Sequence, residues 1–372
     1  MRVLVLNAGS SSLKVRLLGH DNELVADHSL ERWPDPDVDQ LAAHLRAING
    51  VDAMGHRVVH GGADLTQPVL LNDEVEQRIA SLAALAPLQQ ERALVAIRAA
   101  RAAFPFIPAV GCFDTAYHTT LSPAASTYAL PAVWRGRWDI HRYGFHGLSH
   151  SYAARRAAEL SGRDSRDLQV VSCHLGAGAS LCASRGGRSV DTTMGFTPLE
   201  GLVMATRSGS VDPGLLLWLL TAGGLSPEDV SRELEESSGL AGLGGGSGDM
   251  RDILARSESG DEQAQLAFDV YLHRLVREIA AMVASLRGLD VLVFTGGVGE
   301  HAHPVRAAAA ERLGFLGVTV DPERNAAAIS GDASIGALDA RVATLVIEAR
   351  EDIEIARHTR SLLAGSHTGA TP

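Results

Sequence analysis

The chain has 372 residues, of which 46% are hydrophobic and 21% are charged. This length exceeds what one hydrophobic core usually needs, and the composition excludes a disordered chain. The net charge of −11 argues against nucleic acid or an anionic membrane as a partner, and no apolar run is long enough to cross a membrane. Three cysteines without a CxxC pair, and an N-terminus without a signal peptide, indicate a cytoplasmic protein, which we expect to have two domains.

Two strand–turn–strand units are predicted, one at the start of the chain and one near its middle. Their strands are residues 2–6, 13–18, 168–173 and 181–184. The turn of the first unit begins at Asn7 and is rich in Ser, and the turn of the second begins at His174 and is rich in Gly. Because the two units are alike, we expect two related halves with a ligand cleft between them.

The rest of the chain alternates between apolar strands and amphipathic helices, which indicates an α/β fold. We predict a strand at residues 290–294 and a loop at residues 239–248. The predicted helices are residues 73–104 with an interruption at Pro87, 149–160, 212–221, a helix capped by Ser226 and Pro227, 265–286, 303–313 and 350–363.

Three Gly-rich or Ser-rich turns each follow an apolar strand, and the third of them is residues 295–300. Such turns allow backbone N–H groups to approach an anion without obstruction by side chains. The chain has no GxxxxGK[ST] motif and no GxGxxG that opens a helix, which excludes a P-loop and a Rossmann fingerprint. We therefore predict a phosphate site of paired hairpins beside Lys14, the one lysine among 33 Lys and Arg residues.

Two more segments have a pattern that is unusual for scaffold residues. Arg57 lies between histidines in GHRVVHGG, on a strand that ends in two glycines, although an edge strand with a solvated charge is the alternative. Asp114 follows an apolar segment in FDTAYH, where open α/β sheets keep their ligands, although a helix N-cap is the alternative. The histidines of RYGFHGLSH are either functional or structural loop residues.

The string VLVLNAGSSSLK closely resembles the first signature of acetate kinases. The blocks GHRVVHGG, FDTAYH, RYGFHGLSH, MGFTPLEGLVMATRSG, GDMRD and TGGVGE resemble the other signatures of that family in the same order, from residue 3 to about residue 357. The resemblance implies two related α/β domains of the actin-like ATPase (ribonuclease H-like) type around a nucleotide cleft. They would be residues 1–147, with a C-terminal helix at about 353–364 packing back on them, and residues 148–352.

The same resemblance implies a homodimer that transfers the γ-phosphoryl group of ATP to acetate, reversibly and by direct in-line displacement, giving acetyl phosphate and ADP. A kinase for propionate or another short-chain acid is the nearest alternative. A nucleotide-binding relative without catalysis is an alternative of a different class.

Carried over residue by residue, the resemblance assigns catalytic roles to Asp114, His146 and Arg207. Arg57 would bind the carboxylate, and a small pocket for the methyl group would be formed by Val59, Leu88, Phe145 and Pro198. Asn7 and Glu351 would hold Mg²⁺ or Mn²⁺. The nucleotide would contact Ser10, Ser12, Lys14, His174, Leu175, Gly176, Ala177, Gly178, Asp249, Met250, Arg251, Gly297, Val298, Gly299, Glu300 and His301.

The implied reaction brings two anions together, so the site must mainly cancel charge. A carboxylate substrate has no proton to remove at neutral pH, and we therefore expect Asp114 to orient an arginine or a metal-bound water. The chain departs from the family at Ala177 and His301, where Asn is usual, and at residues 89–91, where Gln-Gln-Glu replaces His-Asn-Pro.

Overall fold

The computed structural model describes residues 1–9, 12–30, 33 and 37–368, apart from the side chains of residues 87, 88 and 366–368. The chain divides into two units. The first comprises Met1–Thr119, Phe145–Tyr152 and the C-terminal segment from Arg350, and the second comprises Thr120–Gly144 and Ala153–Ala349. Residues 120–144 therefore cluster with the second unit, although they precede the predicted boundary at residue 147.

Each unit is built around a six-stranded mixed sheet. In the first sheet the strand order is β3-β2-β1-β4-β6-β5, with β4 parallel to β1 and β6. The strands are β1 (Val3–Ala8), β2 (Leu13–Leu18), β3 (Leu24–Asp27), β4 (Ala53–Val58), β5 (Val69–Leu70) and β6 (Ala109–Phe113).

The second sheet repeats the topology of the first. Its order is β11-β12-β10-β7-β8-β9, so that β7 to β9 replace β1 to β3 and β10 replaces β4. Its strands are β7 (Gln169–Leu175), β8 (Ala179–Arg185), β9 (Arg188–Thr192), β10 (Val291–Thr295), β11 (Ala333–Ser334) and β12 (Ala343–Val346). The α/β class and the two related halves predicted from the recurring hairpin are confirmed.

The helices of the structure include each one predicted from the sequence, with ends close to the predicted positions, and several short ones that were not predicted. They are α1 (Val38–Leu45), α2 (Asp73–Ser81), α3 (Pro87–Ala103), α4 (Pro123–Ser126), α5 (Ala132–Trp138), α6 (Gly147–Ser161), α7 (Pro213–Thr221), α8 (Pro227–Glu236), α9 (Gly239–Gly244), α10 (Met250–Glu258), α11 (Glu262–Leu286), α12 (Gly296–His301), α13 (His303–Arg312), α14 (Pro322–Ala327) and α15 (Glu351–Thr368). None of the helices in the described part of the chain is long and apolar enough to cross a membrane.

Two local predictions have different outcomes. The cap of α8 is confirmed, because the Oγ of Ser226 accepts a hydrogen bond from the amide of Asp229. The predicted loop at residues 239–248 is wrong in its first half, which forms α9. Leu240 is buried there, and a Cβ on Gly244 would lie 2.5 Å from the Cδ1 of Ile253, so this glycine permits close packing.

Strand β1 is buried on both faces, and α15 packs against it. Leu4 and Leu6 belong to a core cluster on one face, whereas Val3 and Val5 pack with Ile355 and its neighbours on the other. Helix α15 also packs against β4. The C-terminal helix therefore completes the core of the first unit.

His56 is a buried imidazole in β4 whose two ring nitrogens have no hydrogen-bond partner among the described residues. It shares a strand face with Met54 and Val58, which belong to the core, and it is only 1% exposed. Burial lowers the pKa of His56 to about 3. The folded protein therefore keeps this ring neutral at pH values where the unfolded chain binds a proton.

Because the unfolded chain binds more protons, His56 should make the folded state less stable as the pH falls below about 6.5. We expect His56→Leu to reduce the loss of stability between pH 7 and pH 5 by up to about 2 kcal/mol. Thermal unfolding across this range measures the effect, with the exposed His20→Leu as the control that keeps the parent's pH dependence. Equal pH dependence in the parent and His56→Leu would contradict a neutral, unpartnered ring.

Candidate active site

Arg57 and Asp114 form a buried ion pair at the carboxyl ends of two neighbouring parallel strands of the first unit. Arg57 lies near the end of β4, and Asp114 directly follows β6. The Nε and Nη2 atoms of Arg57 lie 3.1 and 2.7 Å from the Oδ2 of Asp114, which is fully buried. The carboxylate therefore fixes the orientation of the guanidinium group.

The pKa values of the pair follow from burial and from mutual attraction. Burial raises the pKa of the Asp114 carboxyl, while the charge of Arg57 and hydrogen bonds from Arg57 and the amide of His146 oppose that rise. Burial also disfavours the charged form of Arg57, but the charges of Asp114 and Glu351 outweigh it and raise the pKa of Arg57. Since Arg57 donates two direct hydrogen bonds to the carboxylate, we conclude that both groups are ionised.

Asn7, near the end of β1, and Glu351, at the start of α15, complete this charged cluster. The Nδ2 of Asn7 donates to the Oε2 of Glu351 at 2.6 Å, and the Nη1 of Arg57 donates to the Oδ1 of Asn7 at 3.2 Å. Three of the five N–H groups of Arg57 thus have acceptors. The other two, one on each terminal nitrogen, have no hydrogen-bond acceptor among the described residues, although Nη1 also lies 3.9 Å from the Oε2 of Glu351. Two such N–H groups can match the two oxygens of a carboxylate or a phosphate.

The segment at the start of α6 contacts Asp114 directly. His146 has a φ of +56°, a left-handed conformation that is uncommon outside glycine, and its amide donates to the Asp114 carboxylate. A Cβ on Gly147 would lie 2.0 Å from the carbonyl oxygen of Asp114. The backbone of His146 therefore lies beside Asp114, and the catalytic roles of the two side chains stay predictions.

Val59 and Phe145 are both buried in the first unit. The ring of Phe145 packs edge-on against His60, with 5.4 Å between the centroids. Gln90 lies in the segment where the chain departs from the family pattern. Its side chain accepts a hydrogen bond from the amide of His60 at 3.3 Å and donates one to the carbonyl oxygen of His60 at 3.0 Å. A fully buried glutamine on α3 therefore positions the residue that follows Val59.

The other predicted residues of the first unit are only partly described. Ser10 and the side chain of Leu88 lie outside the described residues. The carbonyl oxygen of Ser12 accepts from Gly9 inside the hairpin turn, and Lys14 is exposed and pairs across the strands with Asn7. Lys14 is therefore placed beside the charged cluster, whereas its contact with a nucleotide stays a prediction.

The second unit contains a cavity of about 790 Å³. The three segments of this unit that were predicted to bind the nucleotide contribute to its wall, through Gly176, Ala177, Asp249, Met250, Arg251, Gly297, Val298 and His301. Five predicted residues are not in its lining, namely His174, Leu175, Gly178, Gly299 and Glu300. The sequence analysis missed the apolar and polar side chains that complete the wall, among them Leu254, Ala255, Glu258, Tyr271, His303 and Pro304.

Glu300 holds the turn that leads into α12. Its Oε1 accepts from the amides of Gly296 at 2.9 Å and Ala349 at 3.0 Å. Gly296 has a φ of +77°, and a Cβ there would lie 2.9 Å from the carbonyl oxygen of Leu175. The fully buried Arg306 donates to the carbonyl oxygen of Glu300 at 2.6 Å. The turn is therefore rigid, and Glu300 acts in its scaffold.

Arg207 forms no close ion pair with a carboxylate in the described part of the second unit, although the charge of Glu235 acts on it. Its Nη1 donates to the carbonyl oxygen of Pro198 at 2.7 Å, and burial lowers its pKa. The guanidinium of Arg251, by contrast, is already paired with Asp249 through Nε at 3.0 Å. Arg207 is thus the better placed of the two to bind an anion.

Because Arg57 and Asp114 form a buried pair, removing one of them should destabilise the protein more than replacing both. Arg57→Ala leaves a buried carboxylate without its cation and should lower the free energy of unfolding by about 3–5 kcal/mol. The double variant Arg57→Met/Asp114→Leu should recover part of that loss, because it removes both charges. Urea denaturation measures this, with Arg207→Ala as the control, since no ion pair is broken there. A stability for Arg57→Ala within about 1 kcal/mol of the parent's would contradict the pairing.

The chain is similar to known proteins over nearly its whole length. A model of the Acetokinase family matches residues 37–357. The acetate kinase of Synechococcus sp. (strain JA-2-3B'a(2-13)) is 50% identical over 315 residues, which are 85% of this chain and 77% of that protein.

Two solved structures have the same fold. The crystal structure of Porphyromonas gingivalis acetate kinase has a TM-score of 0.89 and 34% identity, and the match covers 97% of this chain and 99% of that one. A propionate kinase from Francisella tularensis subsp. tularensis SCHU S4 has a TM-score of 0.88 and 34% identity, with the same coverage of both chains. By sequence and by fold, the chain belongs to the acetokinase family.

Proposed function

We propose that this member of the family is an acetate kinase, which reversibly transfers the γ-phosphoryl group of ATP to acetate and forms acetyl phosphate and ADP. The observation that carries the proposal is the Arg57 guanidinium. It is held by a buried carboxylate and leaves two N–H groups for two oxygens of one anion. An acetate carboxylate is an anion of that shape.

The proposed site works by positioning and by cancelling charge, because the acid and the phosphoryl group repel each other. Arg57 holds the carboxylate, and Arg207 and His146 stabilise the charge that develops on the phosphoryl group in flight. Asp114 does not act as a base, since its oxygens already accept from Arg57 and from the amide of His146. It is a positioning residue for Arg57.

The nucleotide belongs, on this proposal, to the cavity of the second unit. Gly176 and Gly297 place backbone without side chains in its wall, which permits phosphate oxygens to approach N–H groups. Leu254, Ala255 and Pro304 provide apolar surface for a base. Lys14 of the first unit supplies a point charge for the phosphates.

Mg²⁺ or Mn²⁺ would be held by Glu351, with Asn7 hydrogen-bonded to that carboxylate. One carboxylate and one amide fit a cation that keeps most of its ligands as water and phosphate oxygens. When bound, the cation would neutralise phosphate charge. This requirement for a metal rests on the chemistry of phosphoryl transfer and on this donor set.

Acetate is the proposed acid because the small apolar pocket that the family resemblance implies has room for a methyl group. Its residues would be Val59, Leu88, Phe145 and Pro198, of which Val59 and Phe145 are buried. One extra methylene in an apolar pocket changes discrimination by roughly 1–3 kcal/mol, so propionate should react about tenfold or more less efficiently. The similarity to a propionate kinase makes propionate the alternative acid. A relative without catalysis is disfavoured by the complete Arg57, Asp114, Asn7 and Glu351 cluster.

An assay with ATP, Mg²⁺, hydroxylamine and a panel of acetate, propionate and butyrate tests the function, because acyl phosphate is trapped as hydroxamate. We expect acetate to give the highest kcat/KM and Arg207→Ala to lower it at least about 100-fold. Arg232→Ala, in an exposed ion pair with Asp229 on α8, is the matched control and should react like the parent. No hydroxamate with any short acid would refute the kinase.

Helix α7 supports a homodimer. Leu215, Leu217 and Trp218 are 46%, 64% and 57% exposed, and none of the residues of α7 is buried. A helix that is apolar on every side is normally covered, and a second copy offers the same surface in a twofold arrangement. We propose that α7 lies in the dimer interface.

Leu217→Glu should therefore shift the protein from dimer to monomer in sedimentation or native mass measurements. Leu338→Glu is the control, because Leu338 is 92% exposed outside α7 and should leave the mass unchanged. A parent that is monomeric at micromolar concentration would rule the interface out.

We also propose a cytoplasmic location, which suits a chain with three free cysteines and can be checked by cell fractionation.

A further inference from the structure

Gln90 is a fully buried glutamine near the start of α3, and its side chain is bonded to three backbone groups. Its Oε1 accepts from the amide of His60 at 3.3 Å, and its Nε2 donates to the carbonyl oxygens of His60 at 3.0 Å and of Ile79 at 3.4 Å. These partners fix the orientation of the side-chain amide, because an N–H must face its oxygen and a carbonyl group must face its nitrogen. Gln90 therefore uses both ends of its amide on one residue, His60.

His60 lies in a short segment that follows β4, in which side chains hold the backbone. Strand β4 ends at Val58. Beyond it, Gln90 takes two backbone groups of His60, and the amide of Gly61 donates to the Oγ1 of Thr115 at 3.1 Å. The amide of Gly62 donates to the Nδ1 of the His60 ring at 2.9 Å. The path of the segment therefore depends on these side chains, and Gln90 supplies two of the bonds.

Two apolar walls of the proposed acid pocket depend on the position of His60. Val59 directly precedes His60, so a shift of the His60 backbone also moves the side chain of Val59. The ring of His60 packs edge-on against Phe145 on the other side. Both walls are buried, and close-packed groups transmit such a shift to their neighbours. Through one residue, Gln90 thus acts on both Val59 and Phe145.

We propose that Gln90 determines the acid specificity as a positioning residue, by holding Val59 and Phe145 where they admit a methyl group and exclude a longer chain. This inference rests on the proposed function, since it concerns the acid of that reaction. An apolar pocket rejects one extra methylene by roughly 10–200-fold, and it does so only while its walls keep their positions. Without Gln90, the amide and the carbonyl group of His60 would be left without these bonds, and the segment would move to recover them.

The length of the Gln90 side chain is part of this proposal. The asparagine that is usual in the family at this place carries the same amide group on a side chain that is one methylene shorter. It reaches both backbone groups of His60 only if α3 or the segment after β4 moves. We therefore expect the position of Val59 in this chain to be matched to glutamine.

Gln90→Met tests this role, because methionine keeps the length of the side chain and removes its strong donor and acceptor. NMR titration of the full-length protein with ADP and Mg²⁺ present, followed through the methyl protons of acetate and of propionate, measures each dissociation constant without turnover. We expect the parent to bind acetate about tenfold more tightly than propionate, and Gln90→Met to reduce this ratio to within about threefold. Gln90→Asn should give an intermediate ratio. The KM for ATP should stay within about twofold of the parent's in both variants, whereas a general loss of structure would raise it.

Gln169→Met is the matched control, because the Nε2 of Gln169 also donates to a carbonyl oxygen, that of Leu286 at 3.0 Å, at the start of β7 in the second unit. It should keep the parent's ratio of the two acids. The parent's ratio in a folded Gln90→Met would overturn the proposal, and so would the parent's ratio in Gln90→Asn if Gln90→Met does not fold. The same change in Gln169→Met, or a parent that does not prefer acetate or binds neither acid, would also overturn it.

The hydroxamate assay separates this proposal from the proposed function. Acid binding that changes with Gln90, in a protein that forms no hydroxamate, would refute only the kinase. Hydroxamate formation by a Gln90→Met variant with the parent's preference between the acids would refute only the role of Gln90.

Discussion

The buried carboxylate of Asp114 must keep a cation beside it, and the charged cluster of the first unit is built on that requirement. This carboxylate lost its water when the chain folded, and the guanidinium of Arg57 compensates for that loss only while it stays in contact. Arg57 also donates a hydrogen bond to Asn7, and Asn7 donates one to Glu351. These bonds connect the ends of β1, β4 and β6 with the start of α15. The backbone of His146 takes a left-handed conformation in the same contact. The side chains of the cluster are therefore held in their orientations by contacts within the first unit.

The two sheets show how one topology can carry different chemistry. In the first sheet the strand ends bring charged and amide side chains into one hydrogen-bonded group. In the second sheet the turns after the equivalent strands are short and rich in glycine, and Gly176 and Gly297 contribute to a cavity with much apolar wall. The first arrangement suits a small anion, and the second suits a nucleotide.

Departures from the family pattern have structural consequences of different kinds. Gln90 stands where asparagine is usual, and its side chain holds the backbone of His60 through two hydrogen bonds. His301 also replaces asparagine, but its ring is fixed by the carbonyl group of Ile329 and so presents one kind of polar atom to the cavity. The first side chain supports the backbone next to Val59, and the second lies in the wall of the cavity.

The sequence by itself determined the elements and their repetition, because strand alternation, glycine turns and caps such as Ser226 act over a few residues. The same patterns identified Arg57, Asp114 and two turn segments of the cavity wall, at residues 174–180 and 295–300, as candidates, whereas residues 249–251 came from the family resemblance. Only the tertiary structure decided what these residues contact. Arg57 and Asp114 meet because β4 and β6 are paired in register, and Glu300 serves the scaffold because its partners are amides at Gly296 and Ala349. Arg57 and Asp114 are 57 residues apart in the sequence, and Glu300 and Ala349 are 49 apart, so packing and strand register select these partners and no local pattern can encode that choice.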